Sequence, residues 1–206
     1  MSLALVVEGD TDLPVARKLA SDAALDVFTE MDAGGKQRID AELQSYNAAA
    51  KGTPWFVLRD LDDDAPCPGR FLEGIAFRPS RWMCLRLAVR ELESWLLADH
   101  EGVAGFFKVT ARDLPLSPDN EIDPTQKLVN LCRKSTSRRI REGMVPRQGS
   151  ATTVGPLYEA LIIEFGTRYW SLDRASDRSP SLRRARQAIR KLGENWSAHA
   201  LGAGAD

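Results

Sequence analysis

Apolar residues follow two different patterns along the first hundred residues. Short, mostly apolar runs alternate with stretches in which apolar residues recur every three or four positions. The runs predict strands near 3–7, 25–30, 54–59 and 82–88, and the stretches predict helices near 12–23, 36–50 and 90–98. Strands that alternate with helices are typical of βαβ units. We therefore expect an α/β fold with a small, Rossmann-type parallel sheet flanked by helices.

The second half of the chain has a different pattern. Prolines divide it into short segments with helical rather than strand periodicity. Its clearest helix runs from Ser181 to Leu192, with Leu182, Ala185, Ala188, Ile189 and Leu192 on one side and arginines and a lysine on the other. We expect an α/β domain over residues 1–105 and a mainly helical, basic region over 106–206 packed on it.

Carboxylates follow two of the predicted strands. Glu8 ends the first apolar run, and Asp60 and Asp62 end the third. Because the carboxyl ends of parallel strands share one edge, these acids are expected to meet there. Mg²⁺ or Mn²⁺ prefers such oxygen ligands, often one or two carboxylates completed by water and phosphate. The alternative is a turn at Glu8 and a solvated acidic loop after Asp60.

The spacing of these acids resembles a known family. Glu-Gly-x-x-Asp at Glu8, Gly9 and Asp12, followed by Asp-x-Asp at Asp60 and Asp62, is similar to the two signature motifs of the Toprim superfamily. The stretch 90–99 resembles a segment of small Toprim-like proteins related to the overcoming-lysogenization-defect nucleases and often encoded beside an ATPase. The segments 155–158 and 179–182 extend that likeness over most of the chain.

The resemblance implies a metal-dependent nuclease, in which Glu8, Asp60 and Asp62 are catalytic and Asp12 belongs to the metal site. Glu93 is a further candidate ligand, because the strand before it leads to the same sheet edge. On a helix Glu91 and Glu93 would lie about 160° apart, so at most one of them is expected to face the site. An ion pair with Arg86 or Arg90 is the alternative. Asp99, on the apolar side of the same segment, is expected to be partly buried at the helix end.

A basic cluster in the second half is the candidate nucleic-acid contact. Clustered cations favour binding to a phosphate backbone, because binding releases counterions. A solvated helix face is the alternative. The candidate residues are Arg133, Lys134, Arg138, Arg139 and Arg141.

Composition excludes several classes of protein. The 206 residues are 43% hydrophobic and carry a formal net charge of −1, and no apolar stretch approaches a membrane span of about 20 residues. The amino terminus does not resemble a signal peptide, and the three cysteines lack a Cys-x-x-Cys pair, so we expect a cytoplasmic protein with reduced thiols. With two histidines, a zinc site is not expected.

Three functional interpretations remain open. The first is a Mg²⁺- or Mn²⁺-dependent nuclease, the effector of an ATPase-partnered prokaryotic defence system. The second is a non-catalytic Toprim-fold regulator that binds a partner. The third, a receiver-like phosphoacceptor domain, ranks last because its fifth-strand lysine has no counterpart here. Topoisomerase and primase activities are disfavoured, since the chain has little room for the further domains they need. Better-known Toprim nucleases carry a lysine after a third motif, and the lack of a clear counterpart here counts against activity without a partner.

Overall fold

The secondary structure follows the predicted alternation closely in the first hundred residues. The structure, a computed structural model, describes residues 2–202. Its strands are β1 (Ser2–Val7), β2 (Asp26–Asp32), β3 (Trp55–Asp60) and β4 (Met83–Ala88). Its helices are α1 (Leu13–Asp22), α2 (Lys36–Ala49), α3 (Pro68–Gly74), α4 (Leu92–Ala98), α5 (His100–Phe107), α6 (Pro124–Arg133), α7 (Arg138–Met144), α8 (Tyr158–Arg168), α9 (Leu172–Arg178) and α10 (Pro180–Gly202).

The four strands form one parallel sheet in the order β2-β1-β3-β4. The β1–α1–β2 connection moves one way along the sheet, and the β2–α2–β3 connection moves back across β1. Since such crossovers are right-handed, α1 and α2 cover opposite faces. The predicted α/β class with a parallel sheet flanked by helices is confirmed. Helix α3 was not predicted, because Pro68 and Gly69 at its start are typical of turns.

The chain divides into two compact units, residues 1–87 with 183–206, and residues 88–182. The predicted domain boundary between 105 and 106 stays a prediction. Within the described residues, no helix is both long and apolar enough to cross a bilayer.

The first unit has a hydrophobic core between the sheet and α2. Ile39 and Leu43 of α2 pack with Val6 of β1 and Val57 of β3. On the other face of β1 the side chains of Leu3, Leu5 and Val7 are also fully buried. In α10 the predicted apolar side is buried at Ala185, Ile189 and Leu192, whereas Ala188 is only half-buried. The predicted basic side is not wholly solvent-facing, because two of its arginines pair with Asp22 of α1.

The second unit is helical and contains an ion pair whose acid is fully buried and whose arginine is partly exposed. Asp99 is fully buried at the amino end of α5 and accepts bonds from Gly102 N at 3.0 Å and Arg174 Nε at 2.6 Å. The expectation of a buried role for Asp99 at a helix end is therefore confirmed. Gly102 is required there, because a Cβ atom at this position would lie 2.3 Å from Asp99 Oδ2.

Candidate active site

The ends of β1 and β3 lie side by side. Val6 of β1 pairs with Val57 of β3, and both strands run in the same direction. Glu8 follows β1, and its Oε2 accepts a hydrogen bond of 3.3 Å from the backbone N–H of Asp60, the last residue of β3. The side chain from the first motif therefore contacts the backbone of the second, although they are 52 positions apart in sequence.

A lysine that the sequence reasoning missed lies at the same edge. After β2 the chain turns through Gly34 and Gly35, whose φ angles of 71° and 119° favour glycine. Gly35 N donates to Glu8 O at 2.9 Å, which holds this turn against the end of β1. Helix α2 then begins at Lys36. The Nζ atom of Lys36 lies 2.7 Å from Asp62 Oδ2. The position of Lys36 could have been predicted, because it follows the second strand and the carboxyl ends of parallel strands share one edge.

Asp62 reaches this site from a turn rather than from the strand. Strand β3 ends at Asp60, and Asp62 has a left-handed backbone with a φ of 48°. On an extended segment Asp60 and Asp62, two positions apart, would project from the same side, but the backbone is not extended at Asp62 and this relation does not apply. Leu61 between them is buried.

The loop after β3 is held by a buried arginine. Arg59 is only 2% exposed and bonds to both carboxylate oxygens of Asp40 at 2.8 Å and to Asp64 Oδ2 at 2.7 Å. Its guanidinium also lies 4.4 Å from the ring centre of Phe71. Asp64 is bonded in turn to Lys36 Nζ at 3.0 Å. Arg59 thus fixes the loop that carries the acids.

The charges at this edge are unevenly compensated. Burial and the nearby negative charge of Asp62 raise the pKa of Glu8, although backbone N–H groups of Asp60 and Lys36 oppose that rise. Burial also disfavours the charged form of Lys36, but its bonds to Asp62 and Asp64 outweigh this and raise its pKa. A further cation next to Glu8 would therefore stabilise its charged form.

Asp12 holds the turn between β1 and α1. It is buried, and its Oδ2 accepts a 3.0 Å bond from the backbone N–H of Gly9. It occupies the N-cap position of α1 but makes no side-chain capping bond to that helix. Its assignment to the metal site stays a prediction.

The site offers oxygen ligands to a hard divalent cation. Across residues 2–202, no three acidic, histidine or cysteine side chains are grouped closely enough to hold an ion among themselves. Mg²⁺ commonly takes only one or two protein carboxylates and completes its shell with water and substrate phosphate. The raised pKa of Glu8 next to Asp62 is the electrostatic condition that such an ion relieves. The residues therefore fit an ion held by few protein ligands.

Glu93 belongs to the second unit, where it meets Glu91. Glu91 precedes α4 in an extended conformation, so the helical spacing expected to separate the two acids does not apply. Tyr158 Oη donates to Glu93 Oε1 at 2.7 Å, and Thr125 Oγ1 donates to Glu91 Oε2 at 2.7 Å. Burial and the charge of Glu91 raise the pKa of Glu93. Its metal role stays a prediction.

The predicted nucleic-acid contacts also lie in the second unit, and each has a partner there. Three of the five pair with an acid, and the other two bond to an amide or carbonyl oxygen. The contacts are Arg138 with Glu142 (2.7 Å), Arg139 with Glu164 (2.6 Å), Lys134 with Asp113 (3.9 Å), Arg133 with Asn130, and Arg141 with Ser135 O. Part of their charge is therefore already balanced.

Comparison with known proteins gives little further guidance. No family model and no curated protein matches the sequence. Among solved structures, the chain is similar to the C-terminal region of the Burkholderia pseudomallei OLD protein, with 14% sequence identity and a TM-score of 0.41. The likeness covers 93% of this chain and 98% of that one. At this level of similarity it carries no argument about family or function.

Proposed function

We propose that the protein hydrolyses phosphodiester bonds of nucleic acid in a reaction that depends on Mg²⁺ or Mn²⁺. One observation carries the proposal: the Glu8 carboxylate bonds to the backbone of Asp60 at the carboxyl edge of a parallel sheet. That edge is where open α/β sheets bind their ligands. Glu8 and Asp60 reach this edge from the ends of two different strands, so acids far apart in sequence lie together where a ligand would bind.

Each residue has a distinct part in this proposal. Asp60 and Asp62 would hold the ion together with water and phosphate oxygens, and the bound ion would supply an activated water and neutralise charge on the phosphate. Burial raises the pKa of Glu8, which also suits it to accept a proton. Lys36, whose ammonium group lies 2.7 Å from Asp62, would stabilise the negative charge that develops on the phosphoryl oxygens. The basic residues 133–141 would contact the backbone.

The motifs at Glu8, Asp12, Asp60 and Asp62 resemble those of Toprim-like proteins that are often encoded beside an ATPase. We therefore propose that the protein acts with an ATPase partner in a prokaryotic defence system in the cytoplasm. The partner would add to nucleic-acid binding, because Glu142 and Glu164 already balance part of the charge of Arg138 and Arg139.

One observation favours a second candidate, a non-catalytic partner-binding protein. Lys36 bonds to both Asp62 and Asp64 and so neutralises acids that would otherwise need a metal ion. An internal lysine of this kind can make the edge a structural element. The two candidates make opposite predictions for catalysis.

A cleavage assay separates them. Single- and double-stranded DNA and RNA are incubated with the purified protein and Mg²⁺ or Mn²⁺, with and without the product of any neighbouring ATPase gene. Glu8→Gln should abolish cleavage without unfolding the chain, and Glu42→Gln, an exposed acid on α2, should leave it unchanged. Charge reversal at Arg138, Arg139 and Arg141 should instead weaken binding and reduce its salt dependence. The non-catalytic candidate is favoured if no substrate is cut and partner binding survives loss of Glu8.

A further inference from the structure

The two edges of the sheet are built differently. On β2 the register shifts so that Val27 pairs with Leu3 and Thr29 with Ala4, which leaves Phe28 as an extra, bulged residue. Acids also occur along β2, at Asp26, Glu30 and Asp32. Bulges and charges of this kind prevent a further strand from pairing with an edge.

Strand β4 lacks the acids that protect β2. Its sequence is MCLRLA, and among residues 2–202 no strand pairs with its outer side. An edge strand of this kind presents backbone N–H and C=O groups to an added strand. Such an edge is a recognised binding mode for extended peptides, in which the backbone gives affinity and side-chain pockets give specificity.

A groove of about 330 Å³ runs beside this edge within the first unit. Leu72 and Phe77 line it from the segment around α3, and Leu192 lines it from α10. Met83 and Leu85 of β4 contribute the strand itself. The groove therefore offers apolar contacts on both sides of the open edge, as the alternating side chains of a bound strand require.

The groove is also positively charged. Arg81, Arg86 and Lys191 line it, and no acidic residue does. The Nε atom of Arg86 is buried without a hydrogen-bond partner. A buried charged donor without an acceptor is unfavourable, so an acceptor from a ligand would satisfy it. The positive charge of the groove and the unsatisfied Arg86 donor both favour a ligand that carries an anionic group.

We propose that the β4 edge binds an extended, acidic peptide segment of a partner protein as an added strand. The apolar walls and the open backbone edge favour a peptide over single-stranded nucleic acid, which would call for exposed aromatic stacking surfaces in the groove. Since β4 has six residues, a segment of similar length would cover it. The site is separate from the acids at the carboxyl edge, and the proposal does not depend on their activity.

Synthetic peptides of about six residues test the proposal by fluorescence polarisation with the full chain. A blocked peptide with alternating valine and glutamate should bind, and its lysine counterpart should not. N-methylation of the amides on one side of the acidic peptide should abolish binding, while N-methylation of the alternate amides should not, because only one side pairs with β4. Arg86→Ala and Lys191→Ala should each weaken binding about two- to fivefold.

Arg184→Ala is the matched control, since Arg184 is exposed on α10 and does not line the groove. It should leave the affinity unchanged. Equal effects of both N-methylation patterns would overturn strand addition. Displacement of the acidic peptide by oligothymidine, or dimerisation of the chain through this edge in sedimentation experiments, would assign the groove to another occupant and would also overturn the proposal.

Discussion

The pairing of Asp22 with two arginines of α10 should contribute a pH-dependent part of the stability. Asp22 ends α1, and its two carboxylate oxygens bond to Arg186 at 2.7 and 2.9 Å and to Arg190 at 2.6 and 2.7 Å. The bonds from Arg186, opposed by burial and supported by Arg190, lower the pKa of Asp22 from 3.8 to about 2. At about 1.4 kcal/mol per pKa unit, this shift corresponds to about 2 kcal/mol of stability.

The sign follows from the lowered pKa. The folded chain holds the ionised form, so the stabilisation is fully present above pH 3.8 and is lost as the pH falls towards 2. Asp22 and Arg186 are 16% and 17% exposed, so solvent screens their pair only partly, whereas Arg190 is 47% exposed. Arg186→Met should therefore cost more stability than Arg190→Met.

Urea unfolding followed by circular dichroism measures this directly. Asp22→Asn should lower the free energy of unfolding by about 2 kcal/mol at pH 7 and by much less near pH 2. Glu42→Gln, an exposed acid of the same unit, is the control and should change little at either pH. A loss for Asp22→Asn that is equal at both pH values would refute the reasoning, because it would be independent of ionisation.

Three further outcomes are expected from other parts of the chain. In thermal unfolding, Gly102→Ala should destabilise the protein by about 3 kcal/mol, because the added Cβ displaces the buried Asp99. Gly105→Ala in the same helix is the control and should be neutral or stabilising, because a Cβ has open space there. Because burial raises the pKa of Glu93, the folded state binds this proton more tightly than the unfolded state, and the unmodified chain loses stability as the pH rises above 4.5. Glu93→Gln lacks this loss. Its free energy of unfolding in urea should therefore increase relative to that of the unmodified chain as the pH rises. Lys36→Met should lower the free energy of unfolding in urea by about 1 kcal/mol in the absence of metal. Adding Mg²⁺ should then stabilise this variant more than it stabilises the unmodified chain. Equal gains in the two proteins would count against an ion near Lys36.

The sheet was predictable because its signals are local. Alternating apolar runs and helical stretches located all four strands to within about two residues. The parallel-sheet rule then placed Glu8 and Asp60 at one edge. The same rule applied to the end of the second strand would also have identified Lys36, since it follows Gly34 and Gly35.

The remaining features depend on contacts between distant residues. Arg59 lies within the apolar pattern of β3, and its partner Asp40 comes from helix α2. The left-handed backbone of Asp62 and the position of Glu91 outside α4 give these side chains directions that strand and helix periodicity do not indicate. Residue type alone does not locate either conformation, because aspartate, although enriched in the left-handed region, and glutamate both adopt several backbone regions.

Titration of Mn²⁺ by calorimetry, with thermal unfolding in parallel, tests the proposed metal site most directly. The unmodified chain should bind Mn²⁺ saturably and gain stability, about 2.7 kcal/mol when free metal is a hundredfold above Kd. The double variant Asp60→Asn with Asp62→Asn should lose both the binding and the gain, while Glu42→Gln keeps both. Unchanged Mn²⁺ binding in the double variant would contradict the account, because the ion would then be held elsewhere.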